Sequence, residues 1–534
     1  MRYSVSRSWN RTRSQVLSSH GLPYTAIILT KLTSAKKTAF KWVEDNEERL
    51  SDLHQRIWNL AETSFREYKS VKALAEFHRE EGFKVEMGVA GMPTAYIATW
   101  GEGRPVLSTY TEYDAVPDCW QDPVPYRSAA NPYRAGHTDP HSALGVGALA
   151  GAVATKAAME KHGLEGTVKV FGTPAEKVCA KSWFAAKGLF DGLDAMVGWH
   201  PRGQTTVMYE TQWGSYWNMA LVFECDEPEN WMAYAEDLPK NARAPGALDA
   251  VCLMYTSTKY LKEAMLPSTG LWTLNEAVMA AGQATADNLP PRVGIIQYAF
   301  RSPSLVQQEQ IAKVLTNNAE QVAKMTGTKV TVRWVTRQRT GLFNKALADL
   351  AYENLELVGP PKFTAEDKKK ANEVLKGLGY PQQKEPFNEK LTPPEEWEKA
   401  WRSAIPSHQR KHGSDDYVEF MWHCPAVWVQ VYRPQVTVKG VRLPRWPHVA
   451  LGGMRGPIDR TIYTAGKAIC GTLLDLAEDP AKLKACQDEW RSRIAKEYEP
   501  PQLDPSWDPP IDLPWPEYVV TERGYDWHIP TPKK

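Results

Sequence analysis

The stretch Gly136-His-Thr-Asp-Pro-His-Ser-Ala-Leu-Gly145 runs straight into a segment, Val146 to Ala158, made almost wholly of Ala, Gly, Val and Leu. A helix that is apolar on every side must be buried on every side, so this segment predicts a helix packed inside a large α/β domain. Ahead of it His137, Asp139 and His141 stand at alternate positions. Alternate residues of extended chain point the same way, so two of the three are placed to grip one ion. A candidate metal site is thereby tied to a rigid, buried element.

At 534 residues the chain is too long for one ordinary core, and two domains with peripheral additions are expected. A formal charge of +1 leaves no electrostatic footprint for nucleic acid, and no apolar run approaches the length of a membrane span. The seven cysteines are scattered without a Cys-x-x-Cys, which indicates neither a disulfide framework nor a zinc ribbon and suits a cytoplasmic setting. Before Glu44 there is no acidic residue, while Arg2, Arg7, Arg11, Arg13, Lys31, Lys36, Lys37 and Lys41 are all basic. That composition reads as a flexible start, with a mitochondrial targeting segment as the alternative. Residues 1–40 are therefore set aside from the fold.

Two amphipathic helices are expected between Lys41 and Gly82, then strands at 83–86 and 94–99, a hairpin-like turn at Gly101-Glu-Gly-Arg-Pro105, and a buried strand at 105–109. That last strand ends at Thr111-Glu-Tyr-Asp-Ala-Val-Pro117, and ligands of open α/β sheets bind at strand carboxyl ends, where Glu112 and Asp114 fall. A strand at 166–171 breaks at Gly172-Thr-Pro-Ala-Glu-Lys177, and another at 195–199 ends in His200-Pro201. From 209 to 335 the rhythm becomes strand, helix, strand, helix, strand, close to the ferredoxin-like β-α-β-β-α-β order with one strand missing. The expected fold class is thus an α/β catalytic domain with a mixed sheet flanked by helices, in two parts (41–208 and 336–480), carrying an inserted ferredoxin-like α+β dimerisation or lid domain (209–335). Residues 481–534, rich in Pro and Trp, are expected to wrap the surface as an extended tail.

Thr111–Pro117, the Gly136-His…His141 nest, Gly172-Thr-Pro-Ala-Glu176, Phe190-Asp-Gly-Leu-Asp-Ala195, Trp199-His-Pro201, Asn288, Tyr298, Arg301-Ser-Pro303, Gly413-Ser-Asp-Asp416 and His448 follow one another in an order that resembles the aminobenzoyl-glutamate hydrolase branch of the aminoacylase and carboxypeptidase G-like zinc metallopeptidases. The resemblance spans roughly Lys41 to Pro480. It implies an amidohydrolase acting on an N-acyl amino acid or related small amide, a homodimer formed through the insert, and a second hydrolase subunit as a further partner. Asp139 falls where that branch has a bridging cysteine and other branches an aspartate. His141, His200 and His448 match histidine ligands, Glu176 matches the general base, and Asp114 matches the aspartate that orients the site. His137 matches a histidine that is not a direct ligand. Arg301 and Asn288 are the candidates for holding substrate, and Trp213 and Trp217 for lining an aromatic pocket.

Two positions depart from that pattern. Lys177 stands where the family has a second glutamate as metal ligand, and an ammonium offers no lone pair until it loses its proton. One metal position is thereby lost, which leaves one zinc per chain, with manganese or cobalt as alternatives. The family's lid histidine is also missing: Tyr234 stands in its place, and no histidine occurs between His200 and His408. Two readings follow, a metal-dependent amidohydrolase with Glu176 as base, or a descendant that has lost hydrolysis and uses the pocket for binding or another reaction on a small amide or amine. The expected place for the Lys177 ammonium is among Asp139 and His448.

Overall fold

The computed structural model describes residues 31–129, 133–210, 213–226, 243–265, 271–282, 288–521 and 524–528. Three helices open the described chain, α1 (Ser34–Asp45), α2 (Glu47–Leu60) and α3 (Tyr68–Glu80). They are followed by β1 (Lys84–Met87), β2 (Tyr96–Glu102) and β3 (Val106–Thr111), then α4 (His141–His162), β4 (Gly166–Gly172), α5 (Lys181–Ala186), β5 (Ala195–Arg202) and β6 (Thr206–Val207). After the insert the chain returns through α8 (Lys345–Val358), α9 (Ala365–Gly377), α10 (Pro394–Arg402), α11 (Val418–Met421), β11 (Ala426–Tyr432), α12 (Trp446–Gly453) and α13 (Pro457–Glu478).

One seven-stranded sheet runs β1-β2-β4-β3-β5-β11-β6. Its centre, β4-β3-β5-β11, is parallel, so the carboxyl ends of four strands open on one edge. The turn at Gly101 to Pro105 is consequently not a hairpin, because β4 lies between β2 and β3. The small-residue helix α4 lies against β3, β4 and β5 with α13 beside it. Its glycines are what permit that closeness: a Cβ on Gly147 would stand 2.6 Å from the Trp199 ring, and one on Gly151 would stand 2.7 Å from Ile469. By length and composition α4 is apolar enough to cross a membrane, but 89% of its most apolar window is buried inside this domain. The opposite face of the sheet is covered by aromatic packing of Phe171 on Phe184, Phe190 and Phe420.

The insert holds β7 (Ser215–Glu224), α6 (Ala247–Met265), β8 (Thr273–Ala280), β9 (Val293–Ser302), α7 (Leu305–Thr326) and β10 (Lys329–Arg337), in an antiparallel sheet ordered β10-β7-β9-β8. That order is ferredoxin-like, and β8 is the strand that the sequence did not reveal. One face of the sheet packs Trp217, Met219, Leu221 and Phe223 against the apolar sides of α6 and α7. The other docks on the large α/β domain, where Trp183 Nε1 donates to the Val335 carbonyl and Thr336 Oγ1 to the Cys179 carbonyl.

Residues 1–30 of the segment set aside lie outside the described residues, and at both margins of the described chain the structure departs from the sequence expectation. Helix α1 starts at Ser34, inside the segment set aside as flexible, because Ala35 and Ala39 bury an apolar stripe while the buried Lys36 ammonium bonds Asp475 at 2.7 Å and Asn354 at 2.9 Å. Beyond Pro480 the chain is first a helix, α14 (Pro480–Glu497), with Asp479 capping its first turn. Only then does an extended arm follow, burying Leu503, Leu513 and Trp515, before the short pair β12 (Glu517–Thr521) and β13 (Gly524–His528).

Candidate functional site

The open edge of the parallel strands gathers Glu112 and Asp114 after β3, Glu176 and Lys177 after β4, His200 at the end of β5, and Arg433 after β11. Asp139 and His141 enter from the start of α4. The turn that presents Glu176 is strained, since Ala175 and Cys179, neither a glycine, stand at φ 54° and φ 60°. Left-handed backbone at such residues costs on the order of 1–3 kcal/mol each and persists only where neighbours impose it. Here buried Glu67 imposes it, accepting the Ala175 amide at 2.7 Å.

His141 is fully buried, and its Nδ1 meets Asp114 Oδ1 at 2.6 Å. Asp114 also accepts from Ser64 Oγ at 2.8 Å and from the Lys177 amide at 3.0 Å. Burial works against the Asp114 charge, but His141 and Lys177 outweigh it and hold the carboxyl below its ordinary range. An ionised Asp114 thus fixes the His141 proton on Nδ1 and leaves Nε2 bare. His200 reaches the same state differently. Its Nδ1 lies 3.0 Å from the Pro201 carbonyl, and burial with Arg202 nearby keeps the ring neutral. Its Nε2 lies 3.6 Å from Asp139 Oδ2, which in turn is 4.0 Å from His141 Nε2.

Around a tetrahedral ion with bonds of about 2.0–2.2 Å, donor atoms stand roughly 3.3–3.6 Å apart. Asp139 Oδ2 stands near that spacing from His200 Nε2, at 3.6 Å, and somewhat beyond it from His141 Nε2, at 4.0 Å, so the three are candidates to hold one metal ion. Lys177 complicates the fit. Its Nζ lies 3.0 Å from His141 Nε2, 3.0 Å from Glu176 Oε2 and 3.4 Å from Asp139 Oδ2, within the same set of donors. Burial disfavours its charge, yet Glu176, Asp139 and Asp114 more than compensate and raise its pKa. The 3.0 Å approach of an ammonium requires a bare His141 Nε2, so His141 is neutral here, although Glu112 and Asp114 pull its pKa up to about 9 against burial and Lys177. An ammonium and a metal ion cannot share this space, so metal entry needs the Lys177 side chain to swing away.

Not every residue singled out from the sequence joins this cluster. His137 is buried with Nε2 against the Ile57 carbonyl at 3.3 Å, a packing position. His448, on α12, lines the adjacent cavity but makes no contact with Lys177 among the described residues. Its pKa is lowered to about 4 by burial and by Arg433 and Arg445, not by the lysine. Arg301 Nε donates to Ser414 Oγ at 2.8 Å and the guanidinium stacks over Tyr216, outside the cavity lining. Asn288 sits half-buried between β8 and β9, also outside that lining. Trp213 packs on Trp401 and Trp428, and Trp217 is core of the insert, so neither lines the cavity. Tyr234 lies outside the described residues.

Three features go beyond the sequence reading, which placed Glu112 at a strand end without giving it a role. Glu112 Oε2 stands 3.3 Å from His141 Nε2, and Glu112 with His141 and His200 forms a further group of closely spaced donor atoms. Behind it, buried Lys181 bonds Glu112 and Asp416, which explains why this carboxylate pair is tolerated. The third is a cavity of about 730 Å³ that opens from Asp139 and Lys177 and is lined by Arg202, Arg433, Arg442, Arg445 and His448. Arg202 and Arg433 end neighbouring strands, a juxtaposition visible only once β5 and β11 are paired.

No protein-family model matches the chain. Among curated proteins it is similar to one of the subunits of p-aminobenzoyl-glutamate hydrolase of Escherichia coli (strain K12), 27% identical over 462 residues, which cover 84% of this chain and 93% of that one. Among solved structures it is similar to the aminobenzoyl-glutamate utilization protein from Klebsiella pneumoniae, with 13% identity, 81% of this chain and 98% of that chain covered, and a TM-score of 0.49. It is also similar to a Bacillus subtilis dinuclear metal binding peptidase from the M20 family, with 15% identity, 81% and 99% covered, and a TM-score of 0.42. The chain is thus similar in sequence to the p-aminobenzoyl-glutamate hydrolase polypeptide over most of both chains, a stretch that takes in 84% of this one and 93% of the other.

Proposed function

We propose that the chain is an amidohydrolase that cleaves an N-acyl amino acid or related small amide, with one metal ion assisting. The observation that carries this reading is the Asp139 carboxylate within 4.0 Å of Nε2 of both buried histidines, His141 and His200. Kinship with a named hydrolase supports it. Zinc, or manganese or cobalt in its place, held by Asp139, His141 and His200 would supply Lewis acidity toward the amide carbonyl and the attacking water.

The protein's own groups divide the remaining work. Glu176 is kept ionised, against its burial, chiefly by the Lys177 ammonium. It is therefore a competent base, taking the proton of the attacking water and returning it to the leaving amine. Asp114 holds His141 in the tautomer that frees Nε2. Lys177, whose ammonium sits among the metal donors, and the missing lid histidine favour the rival reading, a descendant that binds or transforms a small amide or amine without hydrolysis. Metal content of the purified chain, measured alongside amine release from a panel of N-acyl amino acids, separates the two. One metal per chain with amine release supports hydrolysis. Two metals per chain would overturn the ligand set, and one metal without release on any substrate would leave the rival.

The same reading includes a homodimer through the insert. Strand β8 is an edge of its sheet, and α6 exposes Leu253, Tyr255, Tyr260 and Leu261. An uncovered edge beside apolar side chains is a surface that a second copy would cover. A monomeric mass by light scattering at micromolar concentration would reject it. The relative's designation as a subunit makes a second hydrolase polypeptide the other candidate partner, to be sought by co-purification.

A further inference from the structure

Thr63 to Glu67, between α2 and α3, are all buried although they belong to neither helix. Phe65 stands among them at φ 62°, a left-handed backbone that a bulky side chain keeps only where neighbours impose it. Two of these residues serve the candidate site. Ser64 Oγ donates to Asp114, while Glu67 accepts the Ala175 amide and so holds the strained turn that presents Glu176. The neighbours that fix the 63–67 turn come from the far end of the chain. Thr63 Oγ1 donates to the Pro516 carbonyl, and the Phe65 ring packs on Trp515 with centroids 5.2 Å apart. The buried Arg66 guanidinium donates to the carbonyls of Ile511 at 3.3 Å and Leu513 at 3.4 Å, and reaches Glu517 at 3.7 Å.

The same arm is fastened to the insert. Asp512 accepts both arms of the Arg333 fork from β10, at 2.9 and 2.7 Å. Glu499, where the arm begins, accepts the Thr340 amide at 2.8 Å and the Thr340 hydroxyl at 2.7 Å, just past that strand. Strand β10 also reaches the Glu176 turn directly, since Thr336 Oγ1 donates to the Cys179 carbonyl at 2.7 Å. The turn from Ala175 to Cys179 is therefore gripped at both ends. The insert holds Cys179, and Glu67 holds Ala175 from a turn clamped by an arm that is tied to the same insert strand.

We propose that the C-terminal arm, residues 499–516, is a positioning element of the site, with Arg66, Asp512 and Trp515 as positioning residues that fix where Glu176 stands relative to Asp114 and the insert. None of the three lines the cavity. Their leverage comes from geometry: a misplacement of about 1 Å caused far from the chemistry costs on the order of a hundredfold in rate. The use of Glu176 as a base rests on the amidohydrolase reading. The clamping of its turn does not.

The test uses the full chain with Trp515→Ala, with Asp512→Arg, and with the charge swap that joins Arg333→Asp to Asp512→Arg. Amide hydrogen exchange, read by mass spectrometry, compares the peptide over residues 173–181 with one inside α13. Steady-state kinetics give kcat and KM on an N-acyl amino acid that wild type cleaves. Trp515→Ala and Asp512→Arg are expected to quicken exchange over 173–181 by about tenfold or more with α13 unchanged, the sign of a local opening. They are expected to lower kcat by about ten- to a hundredfold while KM changes less than about threefold. The charge swap restores opposite partners and is expected to recover most of both losses. The Arg333 and Asp512 side chains are 34% and 36% exposed, so their variants keep the fold even where Trp515→Ala does not. Exchange over 173–181 as slow in Asp512→Arg as in wild type, an equal quickening in α13, or a swap that recovers nothing would overturn the positioning role. Quickened local exchange in a chain whose wild type cleaves no amide would sink the hydrolase reading and leave the role of the arm standing. Wild-type turnover, with exchange and kcat untouched in every arm variant, would do the reverse.

Discussion

Lys177→Glu exchanges the ammonium within the donor cluster for a carboxylate. In wild type its Nζ lies 3.0 Å from Glu176 and 3.4 Å from Asp139, with both partners mostly buried. At an effective dielectric of 20, attraction at those distances is about 5 kcal/mol per pair, much of it offset by the dehydration of the ions. Removing one partner of a buried pair has a net cost of roughly 3–5 kcal/mol. A new negative charge beside Asp114, Asp139 and Glu176 pushes the variant to the upper end of that range when no metal is present. Metal binding should reverse the loss, because a ligand at a thousand times its Kd stabilises by about 4 kcal/mol. Thermal unfolding in chelator and in graded zinc, with metal per chain measured by mass spectrometry, follows both halves. We expect the chelated variant to melt several degrees below wild type, to recover most of the difference in zinc, and to carry one more metal per chain. Under the hydrolase reading it retains or gains turnover on N-acyl amino acids. A chelated variant that melts with wild type, or one whose metal content does not rise, would refute the placement of Lys177 at a metal position.

Three further expectations follow from the same geometry. Glu176→Gln should keep the fold while turnover falls about a hundredfold or more, the scale of a lost general base, and unchanged turnover would remove Glu176 from the reaction. Asp114→Asn should lower metal affinity or activity by about ten- to a hundredfold by releasing the His141 tautomer, which metal titration of variant and wild type would show. Buried His54 and His78 have pKa values lowered to about 3 and about 4 by burial, below the 6.5 of an exposed imidazole. The unfolded chain therefore takes up protons first as pH falls below 6.5, and stability drops from there down to the folded values, by as much as about 1.4 kcal/mol per pH unit for each ring. His78→Gln should flatten the dependence of melting temperature on pH between 6.5 and 4, and an unchanged slope would contradict the assignment.

Much of this was legible in the residues themselves. A segment as uniformly small and apolar as Val146 to Ala158 allows few fates other than a buried helix, and strands that stop at Glu112, Glu176 and His200 announce a sheet edge. Strand β8 was not legible because Thr273-Leu-Asn-Glu-Ala-Val-Met-Ala280 is rich in helix formers and, as a mostly exposed edge, shows no alternating burial. Helix α1 was hidden by the basic composition around it, since nothing local reveals that Lys36 finds Asp475 more than 400 residues away. The arginine cavity was hidden for a related reason. Arg202 and Arg433 are unremarkable where they stand in the chain, and only the parallel pairing of β5 with β11 makes them neighbours.

That pairing also sets a timetable for the newborn chain. Strand β5 is complete at Arg202, but the strand that occupies its outer side, β11, begins at Ala426. At translation rates of about 5–20 residues per second, the half-finished sheet waits on the order of 10–45 s for its missing strand while the insert is made in between. Throughout that interval β5, whose residues are buried almost without exception in the finished protein, presents an unpaired row of amides and carbonyls to its surroundings. A polypeptide that ends or is cut between β6 and β11 is thus not a smaller domain but an open sheet primed to pair with a stranger, and slower elongation lengthens its exposure.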